Sequence, residues 1–370
     1  MKFLIISHVT HIKQDQKFYA YEPYVREMNL WSNYVNEVLI VAPLAERLKS
    51  NIEAAYLHNN IKLQTIPKIE FTSIKSALYS IFKIPIILVA ILEACKKADH
   101  IHLRCPGNIG LLGCIVQIAF PSKFKSAKYA GNWDPNSKQP LSYRLQKWIL
   151  SNTFLTRNMQ VLVYGKWKNQ TKNIKPFFTA SFSKSEIEKV APHNYTETLK
   201  FVFTGSLVTG KRPLLSIQII EALNKKGIKS NLHIFGNGVL MKSLTLYVQD
   251  KNLKNIIFLN GNQEKDVIKE ALKDSHFLIL PSKSEGWPKA IAEAMFFGVI
   301  PVSTKVSCIE WMLDYGKRGI LIEPDTDIAV KKIEFYLKQK DLNKMSTSAL
   351  KWSQQYTLDS FEQEIKKILQ

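Results

Sequence analysis

The stretch PSKSEGWPKAIAEAMFFGVIPVST, residues 281–304, places two glutamates eight positions apart around a Gly-Trp-Pro break. It follows the apolar run HFLIL and ends in the apolar run VIPVST, so the pattern predicts a strand, a loop, a helix and another strand. Pro288 fits the first helical turn, where a missing N–H costs nothing, and Gly298 fits the helix end. This order predicts one βαβ unit of a parallel sheet.

The same alternation of strand-like and helix-like runs extends through the rest of the chain. It starts with KFLIIS, breaks in a stretch rich in Pro, Ser and Thr near residues 176–198, and restarts with FVFTGS. A chain of 370 residues is also too long for one ordinary core. The sequence therefore predicts an α/β fold with two Rossmann-like parallel-sheet domains, at residues 1–185 and 196–350, and a C-terminal helix at 351–370.

Composition limits the class of protein. Apolar residues make up 46% and charged residues 22%, which is typical of globular proteins. The four cysteines form no CxxC pair, which favours a reducing, cytoplasmic location, and the short apolar run at the N-terminus is interpreted as a first buried strand. The net charge is +20, and residues 1–195 carry 26 Lys/Arg against 12 Asp/Glu. That excess fits either a solvated surface or an anionic membrane surface, and no nucleic-acid-binding module is visible.

One segment, SALYSIFKIPIILVAILEAC at residues 76–95, is apolar enough to raise the question of a membrane helix. Lys83 and Pro85 interrupt it, and the run after them is shorter than the roughly 20 residues of a membrane span. The preferred interpretation is a buried helix. A helix that lies in the surface of a bilayer is the alternative.

The stretch 281–304 also contains residues that could bind a ligand. Open backbone N–H groups at Gly286, Trp287 and Lys289, ahead of a helix, are typical of a phosphate site. A carboxylate accepts two hydrogen bonds at once and suits a vicinal diol, so Glu285 and Glu293 could each hold a sugar beside that phosphate. The alternatives are a helix-dipole role for the first and a solvated helix position for the second.

The spacing of these residues closely resembles the donor-site signature of the retaining GT-B glycosyltransferases of family 4, the glycosyl transferases group 1. The resemblance implies that Glu285 contacts hydroxyls of the transferred sugar and that Glu293 binds the ribose. It implies that the backbone around Gly286, Trp287 and Pro288 cradles the diphosphate. It also implies the GT-B fold, with two domains facing across a cleft and a C-terminal helix that crosses back to the N-terminal domain.

Three further loops of the second half fit the same resemblance. FTGSLVTGKRP, with Gly205, is similar to the loop that follows the first strand of the nucleotide domain, and Lys211 matches the lysine that neutralises the diphosphate. The family's arginine position is Ser206 here, so one cation of the usual pair is missing unless Arg212 supplies it. The turns IFGNG and FLNGN match the loops beside the base, through the residues Gly236, Gly238, Gly261 and Asn262.

The first half resembles the family less well. YAGNWDP stands where many members have a histidine, and Asp134 either orients the acceptor hydroxyl or starts a turn before Pro135. Arg104 either faces a phosphate or acceptor or forms a buried ion pair. Candidate acceptor-side residues are His8, His11, Tyr19, Tyr21 and Glu22. Two basic clusters suit a membrane interface or a solvated face: Lys123, Lys125 and Lys128, and Lys166, Lys168, Lys172 and Lys175.

The resemblance implies an activity: retaining transfer of a sugar from a nucleotide diphosphate sugar, with UDP favoured over GDP, without cofactor or metal. Glu285, Lys211 and Asp134 are the expected catalytic residues. The expected acceptor is a glycan on a lipid diphosphate carrier at the cytoplasmic face of the membrane, in surface-polysaccharide synthesis. The alternatives are a catalytically inactive nucleotide-sugar-binding module and a sugar-nucleotide epimerase of the same fold, whose own signature is not visible.

Overall fold

The apolar runs predicted as strands pair in parallel in two separate sheets of the computed structural model, which describes residues 1–71 and 73–370. Contacts divide the chain into unit 1, Met1–Phe177 with Glu362–Gln370, and unit 2, Phe178–Phe361. Each unit holds one of the two parallel sheets. The predicted α/β fold with two Rossmann-like domains is therefore confirmed.

Unit 1 is built on a seven-stranded parallel sheet in the order β11-β10-β9-β8-β1-β4-β7. The strands of unit 1 are β1 (Lys2–Ile6), β2 (His11–Gln14), β3 (Lys17–Tyr21), β4 (Glu37–Ala42), β5 (Leu44–Ala45), β6 (Glu53–Ala55), β7 (Ile61–Thr65), β8 (His100–Cys105), β9 (Phe124–Tyr129), β10 (Met159–Tyr164) and β11 (Ile174–Phe177). Its helices are α1 (Glu22–Ser32), α2 (Ile74–Lys97), α3 (Asn108–Val116) and α4 (Leu141–Ser151). The central strands are buried on both sides, as a parallel sheet with helices on its faces requires.

A second, four-stranded sheet in unit 1, in the order β5-β2-β3-β6, was not predicted. It places His11 inside the unit, where its Nδ1 lies 2.8 Å from the Val9 carbonyl oxygen and its Nε2 lies 2.8 Å from the Tyr56 hydroxyl. Burial lowers the pKa of His11 to about 4, so the ring is neutral at physiological pH. His11 is therefore a structural residue of this sheet.

Unit 2 is built on a six-stranded parallel sheet in the order β14-β13-β12-β15-β16-β17. Its strands are β12 (Leu199–Thr204), β13 (Ser230–Phe235), β14 (Ile257–Gly261), β15 (Phe277–Leu280), β16 (Ile300–Thr304) and β17 (Ile320–Ile322). The helices that follow unit 1 in the chain are α5 (Pro213–Lys225), α6 (Met241–Asp250), α7 (Lys265–Lys273), α8 (Lys289–Phe296), α9 (Ile309–Met312), α10 (Thr326–Gln339), α11 (Leu342–Ser353) and α12 (Leu358–Leu369). The stretch 281–304 forms the predicted loop, helix and strand after β15.

The end of the chain returns to unit 1, as the predicted GT-B fold requires. Residues Glu362–Gln370, the larger part of α12, belong to unit 1. The Asn33 side-chain amide donates a hydrogen bond of 3.3 Å to Glu362 Oε1, and Ile365 is fully buried. The larger part of the C-terminal helix thus belongs to the N-terminal unit.

The prediction of a buried helix at residues 76–95 is wrong for one side of that helix. Only a third of the most apolar window of α2 is buried, and the side opposite to the core exposes large apolar side chains. By length and composition alone, Lys75–Lys97 would suffice to cross a membrane, a test that core helices also pass. The sequence pattern is apolar on all sides and could not show which side the fold leaves open.

A buried ion cluster lies at the carboxyl ends of β8 and β9. Glu27 accepts from the Arg104 guanidinium at 2.7 Å and lies 3.0 Å from the Lys128 ammonium. Arg104 thus takes the buried ion-pair role, and Lys128 is fully buried. Lys125 is also buried, donating to the Phe120 carbonyl oxygen, and burial lowers its pKa to about 8. A solvated or membrane-facing role for these two strand lysines is therefore wrong.

Glu27→Ala should strongly destabilise unit 1, because two cations would remain in a buried site without their shared carboxylate. We expect a loss of about 3–5 kcal/mol in the free energy of unfolding, measured by urea denaturation. Glu22→Ala is the matched control, since Glu22 pairs with Arg26 on the surface of the same helix and should cost below about 1 kcal/mol. Equal effects of the two substitutions would contradict the structural role given to Glu27.

Candidate active site

The predicted donor-site loops all follow strands of the unit 2 sheet. Adjacent strands β14, β13, β12 and β15 run parallel, so their carboxyl ends lie along one edge. The loops at that edge contain, in the same order, Asn262, Gly236 to Gly238, Gly205 to Arg212, and Ser282 to Pro288. The carboxyl edge of a parallel sheet is the usual place for a ligand in such folds.

Backbone contacts hold the glycine loops against each other. Gly205 N donates to the Phe235 carbonyl at 3.0 Å, and Gly236 N donates to the Gly261 carbonyl at 2.8 Å. A Cβ added at Gly236 would lie 2.0 Å from the Gly205 carbonyl oxygen, and one added at Gly238 would lie 2.5 Å from that of Leu207. The glycines of IFGNG are thus required by loop packing, independently of any ligand.

Lys211 and Glu285 meet at this edge although they are far apart in the chain. Lys211 Nζ lies 2.5 Å from Glu285 Oε1, and the glutamate side chain is only 7% exposed. The two loops are further joined where Lys283 N donates to the Gly210 carbonyl at 2.7 Å. Arg212 Nη1 also donates to the Pro281 carbonyl at 3.1 Å, which places a second cation, a guanidinium, at the same loop. Two predicted site residues therefore form one ion pair.

The loop that carries Glu285 is held by hydrogen bonds from the last residue of β16 and from the residues after it. Thr304 Oγ1 donates to the Ser282 carbonyl at 2.5 Å, and Ser307 Oγ donates to the Gly286 carbonyl at 3.2 Å. The Cys308 thiol also lies 3.3 Å from the Gly286 carbonyl, and burial, followed by the nearby Glu285 carboxylate, raises its pKa to about 12. Cys308 is therefore a neutral hydrogen-bonding group and not a nucleophile at physiological pH.

The Trp287 side chain is packed in the interior of unit 2. Its indole is buried in an aromatic cluster with Trp311, Trp352, Tyr356 and Phe178. The predicted contribution of Trp287 was its backbone, and the cluster anchors that backbone between Gly286 and Pro288. The helix α8 begins directly after Pro288, one residue later than predicted.

Glu293 lies on α8 and is half-buried. The Ser181 hydroxyl donates to Glu293 Oε1 at 2.5 Å, so this carboxylate already holds one hydroxyl group. A ligand hydroxyl could take the place of Ser181 without a change in the chemistry of the contact. Asp134, by contrast, lies in unit 1 and receives the Asn136 N–H at 2.8 Å, the geometry of the turn that was the alternative prediction.

Three buried polar atoms near these loops were not among the predicted site groups. Thr204 Oγ1, Asn260 Oδ1 and Ser282 Oγ have no hydrogen-bond partner within the described part of the chain. Thr204 ends β12, Asn260 lies within the last residues of β14, and Ser282 follows β15. Their places at the carboxyl ends of strands were the available signal. Among residues 1–71 and 73–370, no group of three His, Cys, Asp or Glu side chains is arranged to hold a metal.

Comparison with known proteins gives a match in the part of the chain that carries these loops. Residues 184–352 match the family model described as glycosyl transferases group 1. The match covers 169 of the 370 residues, a little less than half of the chain. It includes both glutamates, Lys211 and all four loops at the edge of the unit 2 sheet.

Two curated relatives are each similar to somewhat less than half of this chain. The putative colanic acid biosynthesis glycosyltransferase WcaL of Salmonella typhimurium is 27% identical over 183 residues, which are 46% of this chain and 45% of that protein. The UDP-Gal:alpha-D-GlcNAc-diphosphoundecaprenol alpha-1,3-galactosyltransferase of Escherichia coli is 31% identical over 177 residues, which are 44% and 45%. The chain thus spans less than half the length of these relatives.

The whole chain is similar to solved structures of the GT-B fold. The apo form of the lipopolysaccharide outer core galactosyltransferase WaaB aligns with a TM-score of 0.69 at 14% identity, covering 100% of this chain and 99% of WaaB. At that identity the likeness concerns the fold alone. The chain therefore has the GT-B fold, and the match to the group 1 family model lies within unit 2.

Gly236→Ala should destabilise unit 2, because the new methyl group would collide with the Gly205 carbonyl and because Gly236 has a φ of +142°. We expect a loss of more than about 2 kcal/mol in the free energy of unfolding, measured by urea denaturation. Gly210→Ala is the matched control, since a Cβ there meets nothing within 4 Å. A Gly236→Ala protein as stable as the control would show that the loops are not packed as described.

Proposed function

We propose that the protein is a retaining glycosyltransferase. It would move a sugar from a nucleotide diphosphate sugar to a lipid-linked glycan acceptor in cell-surface polysaccharide synthesis. The observation that carries this proposal is the contact between Lys211 and Glu285 at the carboxyl edge of the unit 2 sheet, where a cation and a carboxylate stand side by side. A diphosphate needs the first group and sugar hydroxyls suit the second.

The cations of the β12 loop are the groups that would receive the diphosphate. Lys211 is partly exposed, and Arg212, anchored to the Pro281 carbonyl, supplies the second positive charge. The Arg212 guanidinium would thus take the place of the arginine that the family has at the position of Ser206. Ser206 itself lies exposed in the same loop. Positive charge fixed beside the departing phosphate would stabilise the negative charge that develops there, which is the main electrostatic term in such reactions.

The reaction would exchange one bond at the sugar C1 atom for another. The bond from C1 to the leaving diphosphate oxygen breaks, and a bond from C1 to the acceptor hydroxyl oxygen forms on the same face. The acceptor proton passes to the leaving diphosphate, so no base from the protein is required. In this scheme Glu285 holds the transferred sugar through its hydroxyls, Lys211 holds the diphosphate, and no cofactor or divalent metal takes part.

The nucleotide would be a uridine diphosphate in preference to a guanosine diphosphate. The galactosyltransferase relative of Escherichia coli is named for UDP-Gal, which supports this choice. Glu293 would bind the ribose hydroxyls in place of the Ser181 hydroxyl that it holds at 2.5 Å. The loops at Gly236, Gly238, Gly261 and Asn262 would lie beside the base.

The acceptor would be a glycan on a polyprenyl diphosphate at the cytoplasmic face of the membrane. The same relative is named for a diphosphoundecaprenol substrate, which supports a lipid-linked acceptor. Asp134 in unit 1 would orient the acceptor hydroxyl, in addition to shaping its own turn. A protein with this acceptor has to work as a peripheral protein at an anionic membrane surface.

A catalytically inactive nucleotide-sugar-binding module is the second candidate, favoured by the departure at Ser206 and by the lack of a histidine in the YAGNWDP stretch. Such a module would bind the nucleotide sugar but not transfer or hydrolyse the sugar. Incubation of labelled nucleotide sugars with membrane lipid extracts distinguishes the two: the label enters the lipid fraction only with an active enzyme.

Thermal stabilisation by nucleotides tests the donor site directly. We expect UDP, measured against GDP, ADP and CMP in buffer with EDTA, to raise the melting temperature by several degrees, about what ligand at 100 times its Kd produces. Glu293→Ala should lose most of this shift, because the ribose contact is removed. Lys226→Ala, on the unit 2 surface, is the control and should retain it. A shift that appears only after a divalent metal is added would contradict the metal-independent site.

Glu285→Gln should bind free UDP more tightly than the natural protein. The substitution removes a negative charge that competes with the diphosphate for Lys211, and free UDP carries no sugar that would need the carboxylate. We expect Kd to fall by about three- to tenfold in titration calorimetry, equivalent to roughly 1 kcal/mol. Glu293→Gln, the control, should instead raise Kd. An unchanged or higher Kd for Glu285→Gln would show that the carboxylate does not oppose the diphosphate.

A further inference from the structure

The helix α2 has two apolar sides, of which the fold covers one. Its buried side includes Ile87, Ile91, Ala94 and Cys95, which belong to the core cluster of unit 1 beneath β1 and β4. A helix that is apolar all round is normally enclosed, either by protein or by lipid. One side of α2 therefore still requires an apolar or interfacial environment.

The uncovered side of α2 forms one continuous stripe. At 100° per residue its members fall within an arc of about 160°, opposite to the buried side. Each of the six is between 52% and 79% exposed. They are Leu78, Tyr79, Ile81, Phe82, Ile86 and Val89, and we call them the α2 stripe.

The neighbouring helices enlarge this apolar surface. Helix α3 contacts α2, and α4 contacts α3, so the three helices form one layer against the sheet. The layer also exposes Ile115 at the end of α3, and Leu141, Leu145 and Trp148 on α4. Clusters of large exposed apolar side chains mark sites of interaction.

The charges around the α2 stripe fit an anionic surface. Lys75 precedes the stripe, and Lys96 and Lys97 follow it at the other end of the helix, all exposed. Glu93 is the one acidic residue within Ile74–Lys97. Unit 1 as a whole carries 26 Lys/Arg against 12 Asp/Glu. Lysines at both ends of an apolar helix face suit anionic headgroups, whereas two copies of this face would repel each other.

We propose that α2 lies in the headgroup region of an anionic bilayer, with the α2 stripe inserted and its terminal lysines on the lipid phosphates. The proposal deepens the proposed function by assigning the surface that would bring the enzyme to its lipid-linked acceptor. The helix would not span the bilayer. From Leu78 to Val89 the stripe is about 16 Å long, roughly half of the hydrocarbon thickness, and the other side of α2 is fixed in the core.

Vesicle flotation with the full chain tests this assignment. The vesicles consist of phosphatidylcholine alone, or of phosphatidylcholine and phosphatidylglycerol in equal parts. We expect the natural protein to float with the mixed vesicles, and Phe82→Glu/Ile86→Glu to lose binding by about tenfold or more. The matched control, Leu246→Glu/Ile328→Glu, adds the same charge to exposed apolar positions of unit 2 and should float normally.

A third variant separates the electrostatic part from the apolar part. Lys96→Gln/Lys97→Gln keeps the α2 stripe and should weaken binding to the mixed vesicles by a few fold. Natural protein that stays unbound with both vesicle types would overturn the proposal, and so would an α2 stripe variant that floats as well as the control. A homodimer in light scattering that the Phe82→Glu/Ile86→Glu variant dissociates would assign the stripe to a second copy and overturn it as well.

The rise in melting temperature with UDP tests the proposed function separately from membrane binding. Phe82→Glu/Ile86→Glu should retain the full thermal shift with UDP, because α2 belongs to unit 1 and the donor loops belong to unit 2. Lost flotation with a retained UDP shift supports the proposal and shows that the variant is folded. Flotation through α2 in a protein that binds no nucleotide would support the membrane surface while contradicting the glycosyltransferase.

Discussion

Parallel pairing of buried strands is the constraint on which the site in unit 2 depends. Strands such as β12 and β15 carry Phe201, Phe203 and Phe277, which are fully buried, so helices have to cover both faces of the sheet. Each connection then crosses over the sheet, and every strand releases its loop at the same edge. Segments separated by tens of residues, such as those of Lys211 and Glu285, come into contact for this reason.

Local patterns were enough to predict the part of the fold around residues 281–304. The order of strand, loop, helix and strand follows from neighbouring residues alone. Apolar runs mark the two strands, Pro288 marks the start of the helix and Gly298 marks its end. The four-stranded sheet of unit 1 gave no such signal. Its strand β5 has only two residues. The turn between β2 and β3 has positive φ at Asp15 and Gln16, whereas the usual sequence signal of such a hairpin turn is Asn or Gly at these positions.

Side-chain partners depended on tertiary contacts that no local pattern contains. Arg104 and Lys128 lie on adjacent strands, and the carboxylate between them comes from α1, far away in the sequence. The sequence could therefore offer only alternatives for Arg104, and it assigned the buried Lys128 to the surface. Trp287 likewise finds its place through Trp311, Trp352 and Tyr356, which follow it in the chain. Residues outside the stretch 281–304 thus hold the loop around Trp287 in place.

The pairing of Lys211 with Glu285 also bears on selectivity in the proposed function. A ligand that offers only a phosphate gains Lys211 but leaves the Glu285 carboxylate, 7% exposed, without its cation. An unpaired carboxylate in such a site is costly, so simple phosphates are disfavoured. A nucleotide sugar offers hydroxyls together with the diphosphate and so satisfies both partners at once. The ion pair would in this way favour a nucleotide sugar over the free nucleotide, a selectivity that a lysine alone could not provide.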